Sequence, residues 1–286
     1  MATSAEEFRE ILNAEMMVDM SKLMMSARYG VPPEIRAEVW KYLLGVASAD
    51  KSMEMTAKKV KWEEYRAIRK ENAEVMKPLR GEARRYKRAR GAFFKSRAED
   101  LEQHLENVVL AYLNQHHGTR YASHLVHICG VFAYLMNTET EMYFGFERLL
   151  NQLVEHFAVH DLNERMAHFL MLFRSLLPDL YNHFEEEEVS LHSWMLPWIQ
   201  FLLAKELSMP CLMRLWDTYF SAPDGLGLHV YVLLAILSYC KDSLEELEQS
   251  EILSMLLRLP HLDMDQIISH AYRIRYEVQA RALTEI

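Results

Sequence analysis

A dense cluster of basic residues lies in the stretch LRGEARRYKRARGAFF, residues 79 to 94, where positions 84 to 90 carry five Lys or Arg side chains. Guanidinium groups stay charged at physiological pH, and their planar donors match the oxygens of phosphate and carboxylate groups. Three kinds of chemistry fit this pattern: a surface that binds nucleic acid, a solvated helix face, and a single arginine that acts on a phosphoryl group. The cluster alone does not decide between them.

The uneven distribution of charge argues against a nucleic-acid partner. Residues 58 to 97 contain fifteen Lys and Arg residues but five Asp and Glu residues, whereas the whole chain of 286 residues has a formal net charge of −9. This segment therefore has a local charge of +10 and the remainder has −19, which would repel a phosphate backbone that extended beyond the segment. Tyr86, Phe93 and Phe94 could stack on bases, but we expect no nucleic acid to bind.

Common catalytic motifs are missing from the sequence. It contains no GxSxG nucleophile motif, no GxxxxGK[ST] phosphate-binding loop and no GxGxxG dinucleotide motif. These absences disfavour hydrolase, kinase and dinucleotide-dependent functions, and we expect no cofactor of the chain's own.

Four histidines close together in the sequence are the best candidates for metal ligands. They are His116, His117, His124 and His127. The sequence lacks the HExxH motif and the Cys and His pairing that are typical of zinc sites, so we expect no metal. Three widely separated cysteines lie in apolar segments and are expected to be core residues in a reducing compartment. They are Cys129, Cys211 and Cys240.

The elements that position these residues are predicted to be helices. Apolar residues recur at helical spacing along most of the chain, for example at Leu101, Leu105, Val108 and Tyr112, and sustained strand-type alternation is lacking. Only 9 Gly and 8 Pro interrupt the 286 residues. The predicted fold class is all-α.

Gly and Pro residues predict several boundaries. Gly30, Pro32 and Pro33 should open a helix that runs to Leu44, and Gly45 should end it. The segment SAPDGLG, 221 to 227, is predicted to be a loop, and the acidic run from Glu185 to Glu188 is predicted to be a solvated loop. No flexible linker divides the chain, so two helical lobes would join at a helix-to-helix turn near residues 158 to 190.

The apolar segments are too short to predict a transmembrane helix, since no window reaches about 18 consecutive apolar residues. The amino terminus, MATSAEEFREILNAEMM, is acidic and does not have the basic start of a secretory signal. We therefore expect a cytoplasmic protein and leave peripheral contact with endomembranes open.

Four separated stretches occur in an order and spacing that resemble the TBC-domain family, the activators of Rab-type small GTPases. They are YGVPPEIRAEVWKYLLG (29 to 45), LLPDLYNHF (176 to 184), WMLPWIQFLLAKELSMPCLMRLWDTYFS (194 to 221) and LPHLDMDQIISHAYRI (259 to 274). The resemblance implies one TBC domain of two packed helical lobes over residues 28 to 276. Residues 1 to 27 would form an amino-terminal helical extension and residues 277 to 286 a carboxy-terminal tail.

The resemblance also implies an arginine finger. Proteins of this family insert an arginine and a glutamine into the nucleotide site of the GTPase, where the arginine stabilises charge on the transferred phosphoryl group. The arginine motif has an apolar residue, Asp three positions later and Arg three further, and Leu79, Glu82 and Arg85 match it best. Glu82 replaces the motif Asp, and Arg84 and Arg88 are close enough for the assignment of the finger to shift by a turn. The neighbouring basic side chains would then steer an acidic GTPase face or an anionic membrane towards the site. They are Arg84, Lys87, Arg88 and Arg90.

The glutamine motif of the family is degenerate here. The family has Tyr, any residue, Gln and Gly, whereas this chain has Tyr121, then Ser123 in the place of Gln and His124 in the place of Gly. A serine hydroxyl is too short for the reach of glutamine and offers fewer hydrogen-bonding groups. The alternative is that His124 positions the water in place of the glutamine.

The other residues that match the family are expected to be structural. Arg36 and Trp40 would tie the first helix of the domain to the core. Arg214 and Asp217 would form an i,i+3 pair beside a buried Trp216.

Two functions therefore remain open. In one, Arg85 acts on a Rab-like GTPase that carries GTP and Mg²⁺, and the partner's own glutamine positions the water. In the other, the domain is a catalytically degenerate scaffold that binds a GTPase or other subunits of a larger complex.

Overall fold

Helices form almost all of the regular structure. The computed structural model describes residues 3–284, which contain fifteen α-helices and two short 3₁₀ segments, Gly91–Ala98 and Leu226–Leu228. Within this range the β-type pairing is one isolated bridge between Met17 and Asp50. The prediction of an all-α fold is confirmed.

The described chain divides into two compact units, with the boundary between Val154 and Glu155. The first unit contains α1 (Ala5–Leu12), α2 (Met20–Ala27), α3 (Pro33–Leu43), α4 (Glu54–Ala67), α5 (Ala73–Arg90), α6 (Leu101–Gln115), α7 (His124–Leu135) and most of α8 (Glu139–Val159). The second unit contains α9 (Leu162–Leu176), α10 (Pro178–Glu186), α11 (Leu191–Gln200), α12 (Met209–Ser221), α13 (His229–Leu244), α14 (Gln249–Leu257) and α15 (Met264–Thr284). The boundary lies inside α8 and not at the predicted turn near residues 158 to 190. The chain passes from the first unit to the second within a helix.

The two amino-terminal helices pack into the core of the first unit. In α1, the Ser4 hydroxyl accepts a hydrogen bond from the Glu7 amide while the Glu7 carboxylate accepts one from the Ser4 amide. A buried apolar cluster joins α1, α2 and α3 and includes Phe8, Leu23 and Val39. The segment predicted to be an extension is thus helical and packed against α3. Residues 1 and 2 lie outside the described range.

Helix α3 begins where predicted and ends one residue before Leu44, which is its C-cap residue. Pro33 occupies its first turn, where a missing amide costs nothing, and Gly45 follows its end with a φ of +69°. Trp40 is fully buried and meets Phe132 of α7 edge to face at 6.3 Å between ring centroids. The buried Arg36 guanidinium donates a hydrogen bond to the carbonyl of Val31 at 2.5 Å.

Helix α5 packs against α6 and α7, and a glycine sets its distance from α7. Leu79, Ala83 and Tyr86 form the buried face of α5. A Cβ atom added to Gly130 of α7 would lie 2.1 Å from Cζ of Tyr86, far inside van der Waals contact. The backbone of α7 can therefore approach the Tyr86 ring because residue 130 has no side chain.

The second unit has an aromatic core. The rings of Phe169, Phe173 and Phe184 meet Trp194 at centroid distances of 6.0, 6.5 and 6.0 Å. The buried His229 Nε2 is 2.8 Å from the carbonyl oxygen of Trp198. Burial lowers the pKa of His229 to about 4 despite that backbone hydrogen bond. This histidine is therefore neutral near pH 7 and is part of the core.

Arg214 forms a different ion pair from the expected one. Its NH2 lies 2.7 Å from Oδ1 of Asp265 on α15, and its NH1 donates to the Thr218 hydroxyl at 2.8 Å. Arg214 and Thr218 are four residues apart and therefore share one face of α12. Asp217, the expected partner, is completely buried. Trp216 is also buried, as expected, and its indole N–H donates to the carbonyl of Leu202 at 3.2 Å.

Two predicted irregular segments are partly helical. Glu185 and Glu186 form the last turn of α10, whereas Glu187 and Glu188 follow it. The segment 221 to 227 begins with the last residue of α12 and ends within a 3₁₀ segment. Helix α15 continues past residue 276 to Thr284, and residues 285 and 286 of the predicted tail lie outside the described range.

The cysteines are buried and unpaired with one another, as the sequence predicts. Burial raises the pKa of Cys129 and raises that of Cys240 to about 11, so both thiols remain protonated near pH 7. Among the helices of residues 3–284, none has both the length and the apolar content needed to cross a bilayer.

A half-buried carboxylate, Glu139, links three helices in the first unit. It accepts hydrogen bonds from the Tyr65 hydroxyl at 2.6 Å and from the Asn107 amide, and it lies 2.7 Å from Nδ1 of His104. Burial raises the pKa of Glu139, but these hydrogen bonds outweigh it and the net direction is downward. The hydrogen bond to Glu139 raises the pKa of His104.

We expect Glu139→Gln to destabilise the protein most between about pH 5 and pH 6, by about 2 kcal/mol. Both partners are charged in that range. As the pH falls through the lowered pKa of folded Glu139, the carboxylate takes up a proton and its contribution is lost. As the pH rises through the raised pKa of folded His104, the imidazolium loses its proton and that contribution is also lost. Urea unfolding across this pH range measures the effect, with the exposed Glu64→Gln as control. A difference from wild type that does not vary with pH would contradict the expectation.

Gly130→Ala should destabilise the fold by about 1–3 kcal/mol, because its methyl group would overlap the Tyr86 ring. The matched control is Gly81→Ala on α5, where an added Cβ would meet its nearest neighbour, NH1 of Arg85, at 3.6 Å. Alanine is more favourable than glycine inside a helix. This control should therefore be as stable as wild type or up to about 1 kcal/mol more stable. Urea unfolding of both variants tests the pair of expectations, and equal stability of Gly130→Ala and wild type would refute the first.

Candidate functional site

Arg85 lies near the carboxyl end of α5 with its guanidinium at the surface. Its side chain is 64% exposed, yet Nε donates a hydrogen bond to Oε2 of Glu82 at 2.8 Å and NH2 donates to the same oxygen. Because the two residues are three positions apart on one helix, the pair forms along the surface of α5. The arginine is thus held at one edge by a carboxylate of its own helix.

The carboxylate of Glu82 is the buried centre of this arrangement, since its side chain is only 8% exposed. Burial raises the pKa of Glu82, but the hydrogen bonds with His127 and Arg85 outweigh burial and lower it from its ordinary value. Glu82 is therefore ionised near pH 7 and accepts hydrogen bonds on both of its oxygens.

His127 of α7 is the other partner of Glu82. Its Nε2 lies 2.9 Å from Oε1 of Glu82, and its side chain is 10% exposed. An ionised carboxylate can only accept, so Nε2 carries the proton that it donates. The sequence did not indicate this contact, because the histidine lies 45 positions from Glu82. The one sequence feature that could have pointed to His127 is its position three residues after His124, which places both histidines on the same face of a helix.

Tyr121 lies beside the Arg85 and Glu82 pair. Its hydroxyl is 3.4 Å from the carbonyl oxygen of Pro78 on α5. Burial, together with the negative charge of Glu82, raises the pKa of Tyr121 to about 12, while the positive charge of Arg85 opposes the shift. The first residue of the degenerate glutamine motif and the candidate finger are therefore close enough to interact electrostatically.

Ser123 and His124 lie at the amino terminus of α7. Ser123 is the N-cap residue of that helix, although its hydroxyl makes no capping hydrogen bond, and His124 is the first helical residue. Both are partly buried, and the ring of His124 lies 6.3 Å from that of His127. The helix start thus presents a short hydroxyl and an imidazole where the family motif has a glutamine and a glycine.

Acidic residues of α6 partly neutralise the basic cluster of α5. Glu102 lies 3.6 Å from Nε of Arg84 and 3.3 Å from Nζ of Lys87, while the guanidinium of Arg90 lies over the Tyr86 ring at 5.9 Å. Arg88 is exposed to solvent. The positive field of this surface is therefore weaker than the count of basic residues suggests.

Two histidines of the sequence cluster have different carboxylate partners. His116 is 3.1 Å from Glu147, whereas His127 binds Glu82. Across residues 3–284, no group of three or more His, Cys, Asp or Glu side chains is arranged to hold a metal ion.

A separate groove of about 770 Å³ lies in the first unit between α3, α4 and the start of α8. Tyr42, Trp62 and Phe144 contribute aromatic surface to it, and Lys61 and Arg66 contribute positive charge. Neither Arg85 nor Tyr121 lines it, so the groove is distinct from the candidate site.

Solved structures confirm the fold. The Ypt/Rab-GAP domain of Gyp1p is similar with a TM-score of 0.78 at 20% identity, over 93% of this chain and 96% of that one. A flagellar RabGAP TBC domain from Chlamydomonas has a TM-score of 0.70 at 21% identity, over 93% of this chain and 88% of that one.

Curated relatives show similarity in sequence. Human TBC1 domain family member 22A is 31% identical over 151 residues, which make up 50% of this chain and 29% of that protein. The GTPase-activating protein gyp1 of Schizosaccharomyces pombe is 23% identical over 90% of this chain and 57% of that protein. The match to the human protein spans less than a third of that protein's length.

One protein family also matches this chain directly. The Rab-GTPase-TBC domain matches residues 33–245, which is well over half of the chain and includes Glu82, Arg85, His127 and the residues around Trp216. The chain belongs to the Rab-GTPase-TBC domain family.

Proposed function

We propose that this protein stimulates GTP hydrolysis by a Rab-type small GTPase, with Arg85 as an arginine finger supplied in trans. The observation that carries the proposal is the exposed guanidinium of Arg85, held by Glu82 at the position that best matches the arginine motif of the family. Relatives named as GTPase-activating proteins support the same function.

The exposed edge of the guanidinium suits this role. Nε and NH2 of Arg85 bind Glu82, whereas NH1 lies beside Gly81, with 3.6 Å to the position of an added Cβ. The carboxylate therefore occupies one edge of the group and leaves donors on NH1 for a phosphoryl oxygen. In such a site the GTP and Mg²⁺ belong to the partner, and the arginine stabilises charge that develops on the transferred group.

Ser123 determines which protein must supply the group that positions the attacking water. A glutamine amide has two donors and an acceptor at the end of a long side chain, whereas the serine hydroxyl ends one atom beyond Cβ. We propose that the partner's own glutamine orients the attacking water, as it does in GTPases that receive only an arginine.

The alternative function is a scaffold that captures a GTPase, or other subunits of a complex, without stimulating hydrolysis. The observation that favours it is the same Ser123 at the start of α7, where the side chain is too short to replace the glutamine. Stable partner binding that survives loss of Arg85 would distinguish it from an activator.

Arg85→Ala should lower the stimulated rate of GTP hydrolysis by about 10³-fold or more, because an arginine finger contributes about 10³ to 10⁵. Single-turnover hydrolysis on a panel of Rab proteins measures the effect. The control is Lys77→Ala, which removes an exposed positive charge from the same helix and should preserve the stimulated rate. Equal stimulated rates for wild type and Arg85→Ala would reject Arg85 as the arginine finger, whereas no stimulation of any Rab by wild type would reject the activator function.

Ser123→Gln should restore stimulation of a Rab whose water-positioning glutamine has been replaced by leucine. Wild type should stimulate the unaltered Rab but not this variant, because neither protein then offers the amide. Ser123→Ala is the control and should behave as wild type does. If wild type stimulates both Rab proteins equally, the partner's glutamine is not the group that positions the water.

A further inference from the structure

We infer that His127 is a positioning residue for Arg85 and acts on it through Glu82. The inference rests on the proposed function, since it assigns a role within the same site. His127 has no place in the sequence motif, and the contact that identifies it joins α7 to α5.

The hydrogen bonds divide the two oxygens of the Glu82 carboxylate between two helices. Oε1 receives Nε2 of His127 at 2.9 Å, and Oε2 receives Nε of Arg85 at 2.8 Å. One bond fixes the position of a carboxylate oxygen, but two bonds on different oxygens also fix the rotation of its plane. The plane of the carboxylate in turn sets the direction in which the guanidinium lies.

A glutamate needs this second restraint more than an aspartate does. Glu82 has one more rotatable bond than the Asp of the family motif, and its terminal torsion is broad. Freezing such side chains costs conformational entropy, and so does freezing a surface arginine. The bond from His127 lets the longer acid hold one orientation before a partner arrives.

His127 is itself held firmly. Its ring meets Tyr86 of α5 edge to face at 5.3 Å, and Tyr86 in turn lies against the backbone of Gly130. The side chain is 10% exposed, and His124 lies 6.3 Å away on the same helix. A continuous series of ring contacts and hydrogen bonds therefore runs from α7 to Arg85.

Nuclear magnetic resonance on ¹⁵N-labelled protein observes the positioning of Arg85 without any GTPase. The Nε–H signal of Arg85, assigned by its loss in Arg85→Ala, should be shifted and protected from exchange in wild type. His127→Phe keeps the ring but lacks the donor and should abolish that protection. His127→Gln places an amide nitrogen about as far from the backbone as Nε2 and should restore it.

The controls separate positioning from folding. His104→Leu removes a histidine from a different carboxylate of the same unit and should leave the Arg85 signal unchanged. His127→Leu is a second variant without a donor in case the ring of Phe does not fit, and urea unfolding shows that each variant is folded. Protection of Arg85 that persists in either folded variant without a donor would overturn the inference.

Single-turnover kinetics tests the consequence for hydrolysis. His127→Phe should lower the rate at saturating protein about 10- to 100-fold, as expected for misplacement of a reacting group, with the half-saturating concentration unchanged. The rate should recover in His127→Gln. In a Glu82→Ala background, His127→Phe should cause no further loss, because its effect passes through Glu82. Additive losses, or a change confined to the half-saturating concentration, would contradict the inference.

Different results would refute the proposed function and the role of His127. If wild type stimulates no Rab, the proposed function fails, while the signal of Arg85 still decides whether His127 positions it. If wild type stimulates a Rab and the signal of Arg85 is indifferent to residue 127, the function stands and the role of His127 is refuted.

Discussion

A buried carboxylate must be hydrogen-bonded or it destabilises the structure that surrounds it. Glu82 satisfies this requirement with one bond to a neighbouring helix and a pair of donors on its own helix. The same bonds that make burial of the charge tolerable also orient an exposed guanidinium. Glu82 therefore contributes both to the contact between α5 and α7 and to the geometry of the candidate site.

Two residues of the candidate site depart from the family motif in different ways. Glu82 is longer than the usual acid, and α7 supplies a donor that the motif does not specify. Ser123 is a departure of another kind, since nothing in a hydroxyl restores an amide. The structure thus contains a support for the arginine of the motif, whereas the glutamine is simply replaced.

Much of the fold could be predicted from the sequence because helical periodicity and Gly or Pro punctuation are local signals. The boundaries of α3 follow from Pro33 and Gly45, which act within a turn of their own position. The pairing of Arg214 with Asp265 could not be predicted in this way, because it joins residues 51 positions apart on two helices. The local alternative, Asp217, was the natural expectation from helix spacing but lies in the core.

The candidate site shows the same division. Resemblance to the family identified Glu82 and Arg85 on a single helix, where spacing alone places them together. His127 belongs to a histidine cluster in the sequence, but its contact with Glu82 depends on how two helices pack. Only the structure shows the contact between His127 and Glu82.

The close approach of Gly130 to Tyr86 has a consequence for how this domain can change over evolution. Because the ring fills the space that a side chain at position 130 would need, the sizes of the two residues are complementary. A homologue with a bulkier residue at 130 should carry a smaller one at 86, and the two positions should therefore covary. A pairwise signal of this kind would record the spacing between the helix that bears the arginine and the helix that supports it.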